Sequence, residues 1–251
     1  MGRLLALGAV AGLLLTATLP PFDLWWLGPV GVAVLAVVLP SLGWRGRLVA
    51  GLGAGLGWFV PGLWWVTQFH VVGWVAIVAM EAGLLALGMA AVPRRWVPLG
   101  LPAGFVLVEA VRGRWPFGGL PLAGLDLGQV AGPLLPVARL GGHLLLVAAV
   151  GLAGVGLAAL VRRRAGAVTA GVCLGVTVVM AGVGTVAPDG ERAGERAGER
   201  PGERAAAGLS VAAVQGGGPR GVRAVESDER EVLERHLEAS AGVRAGTDLV
   251  L

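Results

Sequence analysis

Long apolar runs separated by short polar breaks dominate the chain up to residue 186. The runs cover about 4–19, 24–42, 48–66, 71–92, 97–111, 140–161 and 167–186. Each has, or nearly has, the roughly 20 residues that carry a helix across about 30 Å of hydrocarbon at 1.5 Å per residue. The pattern predicts an all-α polytopic membrane bundle of about seven transmembrane helices. The first run follows Met-Gly-Arg and stops at Pro20-Pro21. It has the outline of a signal peptide, but further spans follow at once, which favours a retained helix. The third run holds Gly51, Gly53, Gly55 and Gly57, two overlapping GxxxG patterns that let neighbouring helices approach closely. The fourth carries Glu81 near its middle, where a carboxylate is costly unless it is neutral or faces the bundle interior.

The longest break is residues 109–129, EAVRGRWPFGGLPLAGLDLGQ. It combines Glu109, Arg112, Arg114 and Asp126 with Pro116, Pro121 and a Gly-Gly pair. That density of Pro and Gly interrupts a helix, and backbone freed near membrane depth has to pack on protein or line a cavity. The stretch is either a plain connecting loop or the place where the bundle does its work.

Beyond residue 186 the pattern changes. GERA-GERA-GERP-GERA is a charge-balanced repeat with no apolar residue larger than Ala or Pro, which reads as a flexible tether. A strand-length apolar run at 209–215 follows, ending in Gly216-Gly217-Gly218-Pro219. Residues 226–241 carry Val232, Leu233, Leu237 and Ala241 at helical spacing, with Asp228 and Glu231 placed as a cap and its partner. Residues 247–251, TDLVL, read as a second strand. Strand, helix, strand is the opening of an α/β layer with parallel strands. It is too short to close a core, so the expectation is a chain that stops inside a domain. The expected division is a membrane bundle at 1–187, a linker at 188–207 and an incomplete α/β unit at 208–251.

Composition sharpens the class. Apolar residues make up 55% and charged residues 14%, against about a quarter charged in soluble domains. All basic residues are Arg, so the sequence pI near 11 reflects the absence of Lys and Tyr and not a nucleic-acid face. Arg3, Arg45 with Arg47, Arg94 with Arg95, and Arg162 to Arg164 fall on alternate breaks. The positive-inside rule then puts the N-terminus in the cytoplasm and everything after residue 186 outside, with Arg112, Arg114 and Arg139 as exceptions on the outer side. The one cysteine, Cys173, lies inside an apolar run and reads as a small buried residue. His70, His143 and His236 are too scattered for a metal site, and no cofactor is expected.

Four passages resemble one known family. They are PPFDLWWLGPVGVAVL from Pro20, GLGWFVPGLWWV from Gly55, the 109–129 stretch, and VAAVQGGGPRG followed by VLERHLEA and DLVL. Together and in this order they resemble the apolipoprotein N-acyltransferases of bacteria, especially the high-GC Gram-positive type. The third passage is similar to that family's E-x-x-R-G-x-W-P-F-G-G-F-P-W segment. The fourth is similar to the entry into its nitrilase-like (carbon-nitrogen hydrolase) domain. Leu120 and Leu122 stand where the family usually has Phe and Trp, and Gly217 stands where Asn is usual.

The resemblance implies acyl transfer from a phospholipid donor to the N-terminal amine of a diacylglyceryl-cysteine lipoprotein. It implies a monomer in a bacterial plasma membrane, with membrane lipids but no nucleic acid as partners. The catalytic Glu, Lys and Cys it implies fall beyond Leu251, so this piece alone is expected to be inactive. Trp64, Trp65, Glu109, Arg112, Pro121 and Gln129 are the expected substrate-lining residues. Arg112 either holds a phosphate or pairs with Glu109. The Trp pair reads equally as an interface anchor. The competing readings are a multi-pass transporter or scaffold with a regulatory tail, and another membrane-bound enzyme of the nitrilase superfamily. No inverted repeat of broken helices supports the transporter.

Overall fold

The computed structural model describes residues 1–161, 166–188, 211–214, 229–243, 246–247 and 249–250. Chain contacts divide it into two units, Met1–Ala187 and Pro188–Leu251. The described part of the first unit holds seven long helices: α1 (Gly2–Thr16), α2 (Leu27–Val38), α3 (Trp44–Gly62), α4 (Val71–Ala91), α5 (Val97–Arg112), α6 (Ala138–Val161) and α7 (Ala167–Val186). Three segments, Val71–Ala91, Leu135–Val161 and Ala167–Val186, are long and apolar enough to cross a membrane, and α1 and α2 are shorter apolar helices.

The helix ends differ from the apolar runs where proline or glycine intervenes. The third run does not continue as one helix to residue 66. Helix α3 ends at Gly62, directly after Pro61, and Trp64–Gln68 forms a separate 3-10 turn. Helix α2 stops at Val38, and Pro40 sits in the 3-10 turn Leu39–Ser41 that follows. Helix α6 is interrupted at Gly141–Gly142, where Gly142 takes φ +70, a left-handed conformation that suits glycine.

Glycine contacts set the helix directions. A Cβ on Gly53 would lie 2.2 Å from the Leu5 carbonyl oxygen, and one on Gly57 2.2 Å from that of Ala9. Across the same seam Gly8 faces Ala50 and Gly12 faces Ala54, so α1 and α3 run parallel in near backbone contact. The other half of the glycine pattern turns to α4, with Gly51 against Ala86 and Gly55 against Ala82, an antiparallel pair. The two overlapping GxxxG patterns thus serve two neighbours. Gly28 against Val150 and Gly154 against Val32 align α2 with α6, and Gly156 against Leu174 with Gly184 against Pro136 make α6 and α7 antiparallel.

One end of the bundle therefore collects Arg3, Arg45 and Arg95, all exposed. At that end Arg47 is buried and donates through Nη1 to the Leu42 carbonyl (3.0 Å) and through Nη2 to the Ala90 carbonyl (3.2 Å). It satisfies an oxygen that the last turn of α4 leaves open. The opposite end carries the 109–129 stretch.

In the second unit, strands β1 (Val211–Ala212) and β2 (Leu249–Val250) pair in parallel, Val211 opposite Leu249 and Ala212 opposite Val250. Helix α8 (Glu229–Ala241) lies between them in the chain. This is the strand-helix-strand order and parallel pairing that the pattern predicts. The GERA repeat, Gly216 to Pro219, the Asp228 cap, Asp248 and Leu251 lie outside the described residues.

Candidate functional site

The end of α5 is built around a charge that has no solvent. Arg112 and Glu81 are 0% exposed and Glu109 is 3% exposed. Arg112 and Glu109 are three residues apart on α5, which puts them on one face. Arg112 Nη1 meets Glu109 Oε1 at 2.8 Å. Its Nε forms an ion pair with Glu81 Oε2, from the middle of α4, and its Nη2 donates to the carbonyl of Leu122. The guanidinium lies over the Phe59 ring of α3, 4.9 Å from the centroid, and Phe59 stacks on Trp58 at 4.8 Å. Three helices thus converge on one side chain. Isolated ions are very costly at such a site, and pairing plus hydrogen bonding is what makes them tolerable.

The cluster also fastens the loop. Glu109 Oε1 accepts from the Leu125 N–H (3.4 Å), and the Arg112 carbonyl accepts from the Leu120 N–H (2.7 Å). Between these points the chain turns tightly. Trp115–Pro116 is a cis peptide, and Phe117, Gly118, Gly119 and Ala123 have positive φ. Gly119 could not be replaced easily: at φ +122 a Cβ would lie 2.5 Å from the Gly113 carbonyl oxygen. Farther on, buried Gln129 donates through Nε2 to the carbonyls of Trp25 (3.0 Å) and Gly128 (3.1 Å), while its Oε1 has no hydrogen-bond partner among the described residues. This ties the loop to the start of α2. A Cβ on Gly128 would meet Thr18 Oγ1 at 2.0 Å, so the loop also sits directly on the turn after α1.

Beside this polar end is a mostly apolar cavity of about 490 Å³. Pro20, Pro21 and Phe22 form one wall, Val60 and Pro61 another, and Trp64 and Trp65 its rim. The two Trp side chains are 61% and 45% exposed. Trp64 packs edge-on against Trp74 at 5.3 Å, and Trp65 against Phe69 at 5.9 Å. A Cβ on Gly62, which lines the cavity, would lie 3.2 Å from Leu19 Cδ1 and 3.7 Å from Ala123 Cβ, so the cavity adjoins the loop.

The six expected site residues therefore separate into groups. Glu109 and Arg112 are paired in the buried cluster. Trp64 and Trp65 line the cavity. Gln129 fastens the loop at a different point, and Pro121 is exposed on the loop, lining neither feature. The sequence did not point to Phe59, Trp25 or the cavity wall at Pro20 to Phe22. Glu81, a carboxylate in mid-span, signalled a partner whose identity was not legible. The cluster contains no nucleophile. Cys173 is buried in α7, and no group of metal-ligating side chains occurs among the described residues.

A helical bundle with three candidate spans and a buried ion-paired core is that of a membrane protein. Residues 11–156 match the family model described as the apolipoprotein N-acyltransferase N-terminal domain. The chain belongs to the apolipoprotein N-acyltransferase family. It is 36% identical over 160 residues to the apolipoprotein N-acyltransferase of Pseudomonas putida, covering 56% of this chain and 31% of that protein. It is 35% identical over 185 residues to that of Pseudomonas syringae pv. tomato, covering 65% and 36%. Against the Photobacterium profundum protein it is 31% identical over 183 residues, covering 65% and 35%. The chain thus spans about a third of the length of these relatives.

Proposed function

We propose that this chain is the lipid-facing part of an apolipoprotein N-acyltransferase. The observation that carries the reading is the cavity of about 490 Å³ beside the ion-pinned loop, in a chain of this family. An apolar slot rimmed by exposed Trp at a bundle end suits an acyl chain entering from the bilayer. The phospholipid is the donor, and the N-terminal amine of a diacylglyceryl-cysteine lipoprotein is the acceptor.

The reaction runs in two steps. A thiolate attacks the ester carbonyl of the donor, the C–O bond breaks, and the lysophospholipid leaves with a proton. The lipoprotein amine then attacks the thioester, the C–S bond breaks, and the thiol is regenerated. A general base takes the proton of each nucleophile, and donors stabilise each oxyanion. We place the base Glu, the Lys and the nucleophilic Cys beyond Leu251, in a nitrilase-like domain whose opening is β1-α8-β2. The described residues supply the lipid site and not the chemistry.

In this reading the bundle at 1–187 crosses a bacterial plasma membrane seven times, with the N-terminus in the cytoplasm. A linker at 188–207 joins it to the outer domain at 208–251, and the protein acts as a monomer. Complementation tests this. Cells lacking lipoprotein N-acylation receive either this chain or the chain continued through its downstream reading frame, and mass spectrometry reads the lipoprotein N-terminus. The third acyl chain is expected only with the longer protein. Its appearance with residues 1–251 alone would overturn the placement of the catalytic residues, and its absence from both would overturn the activity.

A further inference from the structure

A second cavity, about 180 Å³, lies at the bundle end opposite the loop. Helices α2, α5, α6 and α7 meet there. Arg94 and Arg95 line it, on the 3-10 turn that leads into α5. Arg94 donates through its Nε to the Pro40 carbonyl at 3.2 Å, which holds its guanidinium at the cavity. The deeper wall is apolar, with Val155 and Ala158 from the last turns of α6. Thr169 closes the side formed by α7. Helix α7 starts at the cavity without a side-chain cap, and its first-turn N–H groups add to the positive character of the two guanidinium groups. Exposed Trp96 follows Arg95 directly, as interfacial aromatics do.

We propose that this cavity binds one anionic phospholipid, its phosphate between Arg94 and Arg95 and its first acyl carbons along Val155 and Ala158. The cavity is amphipathic in the way such a lipid is. It sits where α6 and α7, two of the candidate spans, reach the end of the bundle. A free phosphate would use the cations and leave the apolar wall empty. Basic pockets between transmembrane helices hold anionic headgroups by this combination of charge and shape. The site is remote from the loop and the larger cavity, and it does not depend on the acyl-transfer reading.

Binding of short-chain phosphatidylglycerol, phosphatidylcholine and inorganic phosphate to the 251-residue chain in detergent tests the site. Native mass spectrometry and titration read the bound lipid. Phosphatidylglycerol is expected to bind more tightly than phosphatidylcholine. The double substitution Arg94→Gln, Arg95→Gln should weaken phosphatidylglycerol about tenfold and leave phosphatidylcholine unchanged. Thr169→Phe fills the cavity without removing charge and should also reduce binding. Arg45→Gln, at the same end but stacked on Trp44 outside the cavity, should have no effect. An equal loss in Arg45→Gln would reduce the effect to diffuse surface charge and overturn the site. Wild-type affinity in Thr169→Phe would do the same. Displacement of phosphatidylglycerol by equimolar phosphate would make the ligand a free anion and not a lipid.

Discussion

Arg112 shows how one residue can hold an element and a loop together. Its guanidinium meets carboxylates from α4 and α5 and a carbonyl from the loop, over an aromatic ring from α3. The two kinds of deletion differ in what they leave. Arg112→Leu leaves two buried carboxyls facing each other and should cost about 3–5 kcal/mol. Glu81→Gln leaves the Arg112–Glu109 pair intact and should cost clearly less. Thermal unfolding in detergent measures both. Arg112→Leu should also speed hydrogen exchange at the Leu125 N–H, because Glu109 loses the partner that orients it. Unchanged exchange there would show that the loop is held by other contacts. Leu122 illustrates the limit of reading side chains from sequence. Its side chain is the departure noted in the sequence, yet Arg112 uses its carbonyl, which any residue supplies.

At the scale of helices, small residues decide the packing. Lipid tails give no hydrophobic reason for helices to associate, so close van der Waals contact has to do it. Gly53 and Gly57 let α3 approach the α1 backbone, while Gly83 of α4 and Gly171 of α7 have nothing within 4 Å of an added Cβ. Gly57→Leu should therefore destabilise the bundle by at least 1–3 kcal/mol, the usual range of an overpacked core. Gly83→Leu should leave it unchanged or slightly more stable, since Gly is a poor helix former. Melting curves of the two variants compare them directly, and similar losses would refute the assignment of the seam. The GxxxG spacing was legible in the chain. Which neighbour each glycine serves was not, because two residues two apart on a helix face different directions.

For the whole molecule, the two ends of the first unit are chemically distinct. One gathers Arg3, Arg45 and Arg95, and the other the Trp-rimmed cavity and the loop with Phe117 fully exposed. The orientation proposed above predicts opposite accessibility in intact cells. With the buried Cys173 as a silent background, Phe117→Cys should react with a membrane-impermeant thiol reagent added outside. Trp44→Cys should react only after permeabilisation. Labelling of both from outside, or of Trp44→Cys alone, would overturn the topology.

The sequence by itself determined what depends on local order. Hydrophobic run length announced the helices, Arg spacing gave the bundle two unlike ends, and the 109–129 break marked the place where regular structure stops. The tail's alternation of strand, helix and strand foretold the parallel pairing of Val211 with Leu249. Tertiary structure alone decided what depends on distant residues meeting. Glu81 joins Arg112 across 31 residues of chain, and Gln129 reaches Trp25 across 104. The walls of the larger cavity come from residues 16–22 and 60–65. Periodicity tells which face of a helix is buried, but a buried charge or a cavity exists only through the partner opposite. That partner is fixed by how the helices cross.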